Sequence, residues 1–104
     1  MDTLGHTLRK LGEEKKLPLR TVASFLFIDQ AILSKLERGQ RKATRPQVLK
    51  LAQYFNANVN NLLVAWLADN LVYHLEGEDI ALKALQVAKE RIAYAAFKKL
   101  IEIN

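Results

Sequence analysis

The sequence predicts an all-α fold, with five helices packed as one domain and an additional helix at the C-terminus. Three observations predict it. Only four Gly and two Pro interrupt 104 residues, apolar residues recur at intervals of three and four, and β-branched alternation is absent. Half of the residues are hydrophobic and 26% are charged, the balance of a folded chain and not of a disordered one.

Each element has a local reason. Thr3 is placed to cap a first helix that turns Leu4, Leu8 and Leu11 inward and runs to about Lys16. Pro18, with its fixed φ, suits the first turn of a second helix burying Val22, Ala23 and Leu26. Phe27-Ile28 makes a short turn, and Asp29 is a natural N-cap for a third helix. That helix carries Leu33 and Leu36 inward and stops at Gly39, a left-handed cap. Thr44-Arg45-Pro46-Gln47 reads as a capping box. The fourth helix buries Val48, Leu49, Leu51, Ala52 and Phe55 and breaks at Asn56-Ala57-Asn58. Asn58 caps a fifth helix through Leu62, Leu63, Trp66, Leu67 and Leu71. Gly77 marks the next break, and Glu78 and Asp79 suit the positive end of a last helix over roughly 79–102. The expected organisation is a domain over 1–65 and a helical extension over 66–104.

Several function classes are excluded early. The chain has no cysteine, which removes disulfides, thiol nucleophiles and Cys-ligated zinc together. His6 and His74 stand far apart in sequence, so no metal site is expected. Ser24 and Ser34 have no nearby histidine or glycine-rich elbow, and neither a phosphate loop nor a dinucleotide fingerprint occurs. No enzyme activity and no cofactor are therefore expected. The longest apolar run, Leu62 to Ala68, is far short of the ~20 residues of a spanning helix. No basic-then-apolar leader opens the chain, so the expectation is a cytoplasmic protein with no membrane partner.

Charge supplies the first positive clue. A net charge of +5 favours a polyanionic partner. Residues 1–56 hold eleven Lys and Arg against five Asp and Glu, a net +6, whereas residues 57–104 hold five against six, a net −1. Two unlike halves imply two jobs.

The second and third helices are short and three or four residues apart. Such a turn sets two helices at a steep angle, so the third can enter a major groove while the second braces it. The segment TVASFLFIDQAILSKLERG, Thr21 to Gly39, resembles the helix-turn-helix of the Cro/repressor-type, XRE-like transcriptional regulators. Val22-Ala23 match the usual Leu-Ala of the bracing helix, Ile28 follows the turn, Leu33-Ser34 match Ile-Ser, and Glu37-Arg38-Gly39 match the Glu-Arg-Gly ending. The spacing to Leu51-Ala52 agrees without a gap, so the resemblance covers Leu4 to about Leu63. It implies a five-helix repressor-like helix-turn-helix domain that binds double-stranded DNA. Three positions depart from the pattern: Leu19 stands where Gln is frequent, Phe27 replaces the turn glycine, and Gly12 replaces an arginine that pairs with Glu37. Arg9 or Arg41 is then the available partner for Glu37. Phe25 occupies a slot that normally faces solvent. It either forms an exposed patch with Phe27 or packs under the C-terminal segment, and packing is expected.

The exposed start of the third helix offers Gln30, Ala31, Ile32 and Lys35. By resemblance these are the base-reading positions. Gln30 would pair with adenine N6 and N7, Lys35 with guanine O6 or N7, and Ala31 and Ile32 with thymine methyls, unless Ile32 packs inward. Arg38, Arg41, Lys42, Arg45 and Lys50 follow within thirteen residues that hold no acid. Arg38, Arg41, Lys42 and Arg45, with Ser34 and with Arg20 on the bracing helix, are the expected phosphate contacts.

The last helix would reach ~36 Å at ~1.5 Å per residue, longer than the first domain is wide. Its stripe of Ala81, Leu85, Ala88, Ile92 and Ala96 permits close approach between helix axes. The expectation is a homodimer through Trp66, Leu85, Ala88, Ile92 and Ala96, with recognition helices ~34 Å apart on a palindromic site. An intramolecular cap over Phe55, Leu63 and Trp66 is the alternative. The function expected is a dimeric, sequence-specific DNA-binding transcriptional regulator. The alternative is a helical interaction module whose C-terminal helices bind a partner protein.

Overall fold

A computed structural model describes residues 3–103, and among them the chain is helical throughout. The helices are α1 (Leu4–Glu14), α2 (Leu19–Leu26), α3 (Gln30–Glu37), α4 (Arg45–Phe55), α5 (Val59–Leu75) and α6 (Ala81–Ile103). Two compact units divide the chain, one ending at Val72 and the other beginning at Tyr73. The fold class is therefore all-α, with a helix-turn-helix core and an added C-terminal helix.

In the first unit α3 packs on α1 and α2, and α2 packs on α4. Their inward residues meet in one apolar core of Leu8, Val22, Ala23, Leu26, Leu33, Leu36, Val48, Leu51, Ala52, Phe55 and Leu62, edged by Leu4 and Ala43. Among the described residues no polar or charged side chain is buried. Leu49, expected inside, is 42% exposed. At 100° per residue it cannot share one face with both Val48 and Leu51, and those two are fully enclosed.

Helix starts follow the expected caps with two exceptions. Thr3 Oγ1 accepts from His6 N–H at 3.1 Å and Asn58 Oδ1 from Asn61 N–H at 3.0 Å. The Thr44–Gln47 box closes in both directions, at 3.3 and 2.9 Å. Pro18 sits at the N-cap of α2 and not within its first turn. Asp29 takes the N-cap backbone conformation of α3, but its side chain makes no cap hydrogen bond.

Helix ends share one device. A left-handed residue follows each of the first five helices: Lys16, Phe27, Gly39, Asn56 and Gly77, with φ between 51° and 83°. At the first four ends the pair of Schellman hydrogen bonds closes, for example Phe27 N–H to Ser24 O and Ile28 N–H to Ala23 O, both at 3.1 Å. The α1 helix thus stops at Glu14, short of Lys16. Phe27 keeps the turn shape a glycine would take, at a cost of about 1–2 kcal/mol for an L-residue. The reward lies in the next residue: Leu17, Ile28 and Ala57 each pack against the core directly after their left-handed neighbour. Burying an aliphatic side chain is worth about 1.5–3 kcal/mol, which covers the strain.

Two long-range hydrogen bonds tie α5 to the rest of the first unit. Leu4 N–H, a free donor at the start of α1, donates to Asp69 Oδ2 at 3.0 Å. Trp66 Nε1–H donates to the carbonyl of Ala43 at 2.8 Å. The first supplies an anion to the positive end of α1. Asp69→Ala is expected to lower stability by about 1 kcal/mol, and Asp69→Asn, which keeps the acceptor, by less. Equal melting of wild type and Asp69→Ala in thermal unfolding would show that this tie carries nothing.

Candidate nucleic-acid interface

The residues expected at the interface can be placed one by one. Gln30, Ala31 and Lys35 are exposed on α3, and Ile32 is half-buried. The α3 helix has only eight residues, so its first turn is held from behind by Ile28 and Leu33 and presented outward. Arg20 is exposed on α2. Ser34 is half-buried on α3, and its carbonyl accepts from Arg38 Nε at 3.3 Å. The Arg38 side chain is thereby folded over the C-terminal end of α3, where it meets the negative pole of the helix.

Arg41, Lys42 and Arg45 are exposed in and beside the loop between α3 and α4. This loop is not loose. Gly39, at φ 72°, turns the chain out of α3, Ala43 is buried with its carbonyl on Trp66, and Thr44 caps α4. The Arg45 guanidinium lies 6.0 Å from the centre of the Trp66 ring, and the amide end of α4 opens beside it. The arrangement can hold a phosphate with side-chain charge and backbone N–H groups together. Trp66 thus anchors the basic loop from α5. This anchoring contact was not legible from sequence, and it comes in addition to the expected place of Trp66 at a dimer interface. In the second unit Leu85 and Ala88 are half-buried, while Ile92 and Ala96 are exposed.

The aromatic pair of α2 separates. Phe25 stacks on Tyr54 of α4 with ring centres 4.6 Å apart, so its packing partner lies within the first unit. Phe27 remains 88% exposed, with Lys50 Nζ 5.7 Å from its ring centre.

Glu37 ends α3 beside a shallow groove that also touches Arg9, Gly12, Glu13 and Arg38. Burial pushes its carboxyl above the ordinary 4.5; Arg9 counteracts this, and Glu13 adds to it. Arg9 is shared, because its Nε also pairs with Glu13 at 3.4 Å. The raised value has a sign. The proton is bound more tightly in the folded state, so stability falls as pH rises from 4.5 through the raised value. Glu37→Gln is expected to melt above wild type at pH 7, with the gap closing below pH 4.5. A gap of constant size at both pH values would contradict this.

Among the described residues no three His, Asp or Glu gather in a way that could hold a metal ion, and no helix is long and apolar enough to cross a membrane.

Two short helices in a tight left-handed turn, the second presented outward and backed by a basic loop, define a helix-turn-helix protein. Over 50 residues the chain is 34% identical to the HTH-type transcriptional repressor RghR of Bacillus subtilis (strain 168), covering 48% of this chain and 37% of that protein. Over 66 residues it is 33% identical to the uncharacterized HTH-type transcriptional regulator RghRB of the same strain, covering 62% and 48%. The matched segments span less than half the length of either relative. No family model matches the chain, and no solved structure does.

Proposed function

We propose that the protein is a sequence-specific DNA-binding transcriptional regulator that reads a palindromic operator as a dimer. Two features together carry the reading. The exposed first turn of α3 offers Gln30, Ala31 and Lys35, and Arg41, Lys42 and Arg45 are exposed on the anchored loop that follows α3 in the chain. Base edges are read by the first set and phosphates are gripped by the second. The names of the two similar regulators agree with this class, and the XRE-like assignment rests on the motif from Thr21 to Gly39.

Dimerisation is assigned to the C-terminal helices. On the α6 stripe expected there, Leu85 and Ala88 are half-buried and Ile92 and Ala96 are exposed, and an apolar helix face of this kind is available for association. A dimer that reads a palindromic operator needs its two α3 helices about one DNA turn apart.

Selection of bound duplexes from a random pool tests the whole reading. The expected product is a symmetric site with two half-sites, bound with a log–log salt slope near −7 if about eight phosphates are neutralised. A single unpaired half-site removes the dimer, and a flat salt response removes DNA. Gln30→Ala is expected to relax preference at one position per half-site, by about 1–3 kcal/mol. Equal weakening on every sequence would take Gln30 out of the base-reading set.

A further inference from the structure

We infer that Asp29 is itself a specificity-determining residue, accepting a hydrogen bond from the exocyclic amino group of cytosine at the base next to the one read by Gln30. The inference rests on the proposed DNA readout and adds to it a residue and a base.

Four helices in this chain start at a polar residue able to cap them. Thr3, Thr44 and Asn58 each turn a side-chain oxygen back onto their own helix. Asp29 does not. Its backbone is extended, at φ −68° and ψ 145°, which is the conformation a capping residue takes. The geometry for the cap is present, yet the carboxylate stays on the exposed side, one residue ahead of Gln30 at the leading edge of α3. A side chain at that edge travels with the first turn into whatever the first turn meets.

Charge then decides what it meets. A carboxylate facing phosphates is repelled, so its place beside DNA is over a base edge that presents a donor. In the major groove the four bases differ sharply on this point. Guanine presents two acceptors and thymine presents O4, and both repel an anion. Adenine offers an amino group, but its N7 acceptor stands beside it, and the paired donor and acceptor suit an amide such as Gln30 better. In a C·G pair the cytosine N4 amino group has guanine O6 on one side and the apolar C5–H on the other, whereas adenine N6 lies between two acceptors, its own N7 and thymine O4. Among the four, cytosine is the base that an isolated carboxylate fits.

The side chain also works by exclusion. Where guanine or thymine stands at that position the anion faces an acceptor and weakens binding, so Asp29 lowers affinity for those sequences as well as raising it for the right one.

The test is selection from a random duplex pool with the full chain in three forms: wild type, Asp29→Ala and Asp29→Asn. Wild type is expected to enrich cytosine next to the position that Gln30→Ala relaxes, with a penalty of at least about fivefold for other bases there. Asp29→Ala is expected to lose that preference alone, and to bind random duplex at least as tightly as wild type because an anion has left the DNA face. Asp29→Asn is expected to change the preferred base from cytosine to adenine. Melting separates this from a capping role: Asp29→Ala is expected to fall less than Thr44→Ala. If wild type enriches a motif that Asp29→Ala leaves unchanged, or if Asp29→Ala melts as low as Thr44→Ala, the inference is overturned while the DNA reading stands. Enrichment of no sequence by wild type overturns both.

Discussion

Gly5→Ala is expected to lower the melting temperature by roughly 8–16 °C, although it replaces a poor helix former with the best one. Gly5 lies buried inside α1, where it meets the last turn of α3. A Cβ built there collides with the Glu37 carbonyl oxygen and stands 2.9 Å from that of Leu36. Both are backbone atoms, so no side chain can swing aside and one helix must move. Overpacking of this kind costs about 3 kcal/mol at its upper range, and alanine returns about 1 kcal/mol of helix propensity. The net loss of about 2 kcal/mol corresponds to the stated shift at 4–8 °C per kcal/mol for a domain of this size. Gly12→Ala is the control, seven residues along the same helix. Its Cβ would meet nothing closer than the Leu17 carbonyl oxygen at 3.7 Å, so the propensity gain stands alone and stability rises by about 0.5–1 kcal/mol. Thermal unfolding of the two variants beside wild type checks both signs. Melting of Gly5→Ala at or above wild type would mean that α1 and α3 are further apart than described. Because α3 also leads the proposed DNA contact, its displacement in Gly5→Ala is expected to weaken operator binding as well.

Replacing Arg41, Lys42 and Arg45 together with Ala is expected to cut DNA affinity by roughly 500-fold per protomer at about 0.1 M salt. The figure follows from counterion release: each phosphate neutralised contributes about −0.9 to the log–log slope, so three lost contacts flatten it by about 2.7. All three side chains are exposed, and the Thr44–Gln47 box and the Trp66–Ala43 bond are untouched, so the fold should survive. Sequence preference should also survive, because phosphate contacts position the protein without reading bases. Binding isotherms at several salt concentrations provide the measurement. An unchanged slope would place the phosphate contacts elsewhere on the chain.

How much of this was legible in the sequence varies by element. The helix starts at Thr3, Thr44 and Asn58 are written in local chemistry, since a cap needs only its own residue and the next three. The ends at Gly39 and Gly77 are equally plain, because glycine takes φ > 0 without strain. The same device at Lys16 and Phe27 left no local mark. There the left-handed residue is tolerated because Leu17 and Ile28 reach the core, which is a fact about distant helices. Leu49 shows the opposite limit: its helix and period were right, but two neighbours already filled the inner face.

At the candidate site the exposed turn of α3 and the basic run from Arg38 to Lys50 could be read directly, because both are continuous in the chain. Gly5, Asp69 and Trp66 could not be assigned their roles. Gly5 matters through a contact with α3 more than thirty positions away, and Asp69 through a bond to Leu4 across 65 positions. The raised carboxyl of Glu37 and its shared partner Arg9 belong with them.

The sequence by itself determined the helices, their order, the apolar faces and the place of the basic cluster, because each depends on residues within a turn or two of one another. Tertiary structure alone decided which helix presses closest on α3, what holds the basic loop, where Phe25 packs and which capping residue keeps its carboxylate free. Those outcomes depend on distances between atoms remote in the chain, and no local preference encodes such a distance until the core has closed.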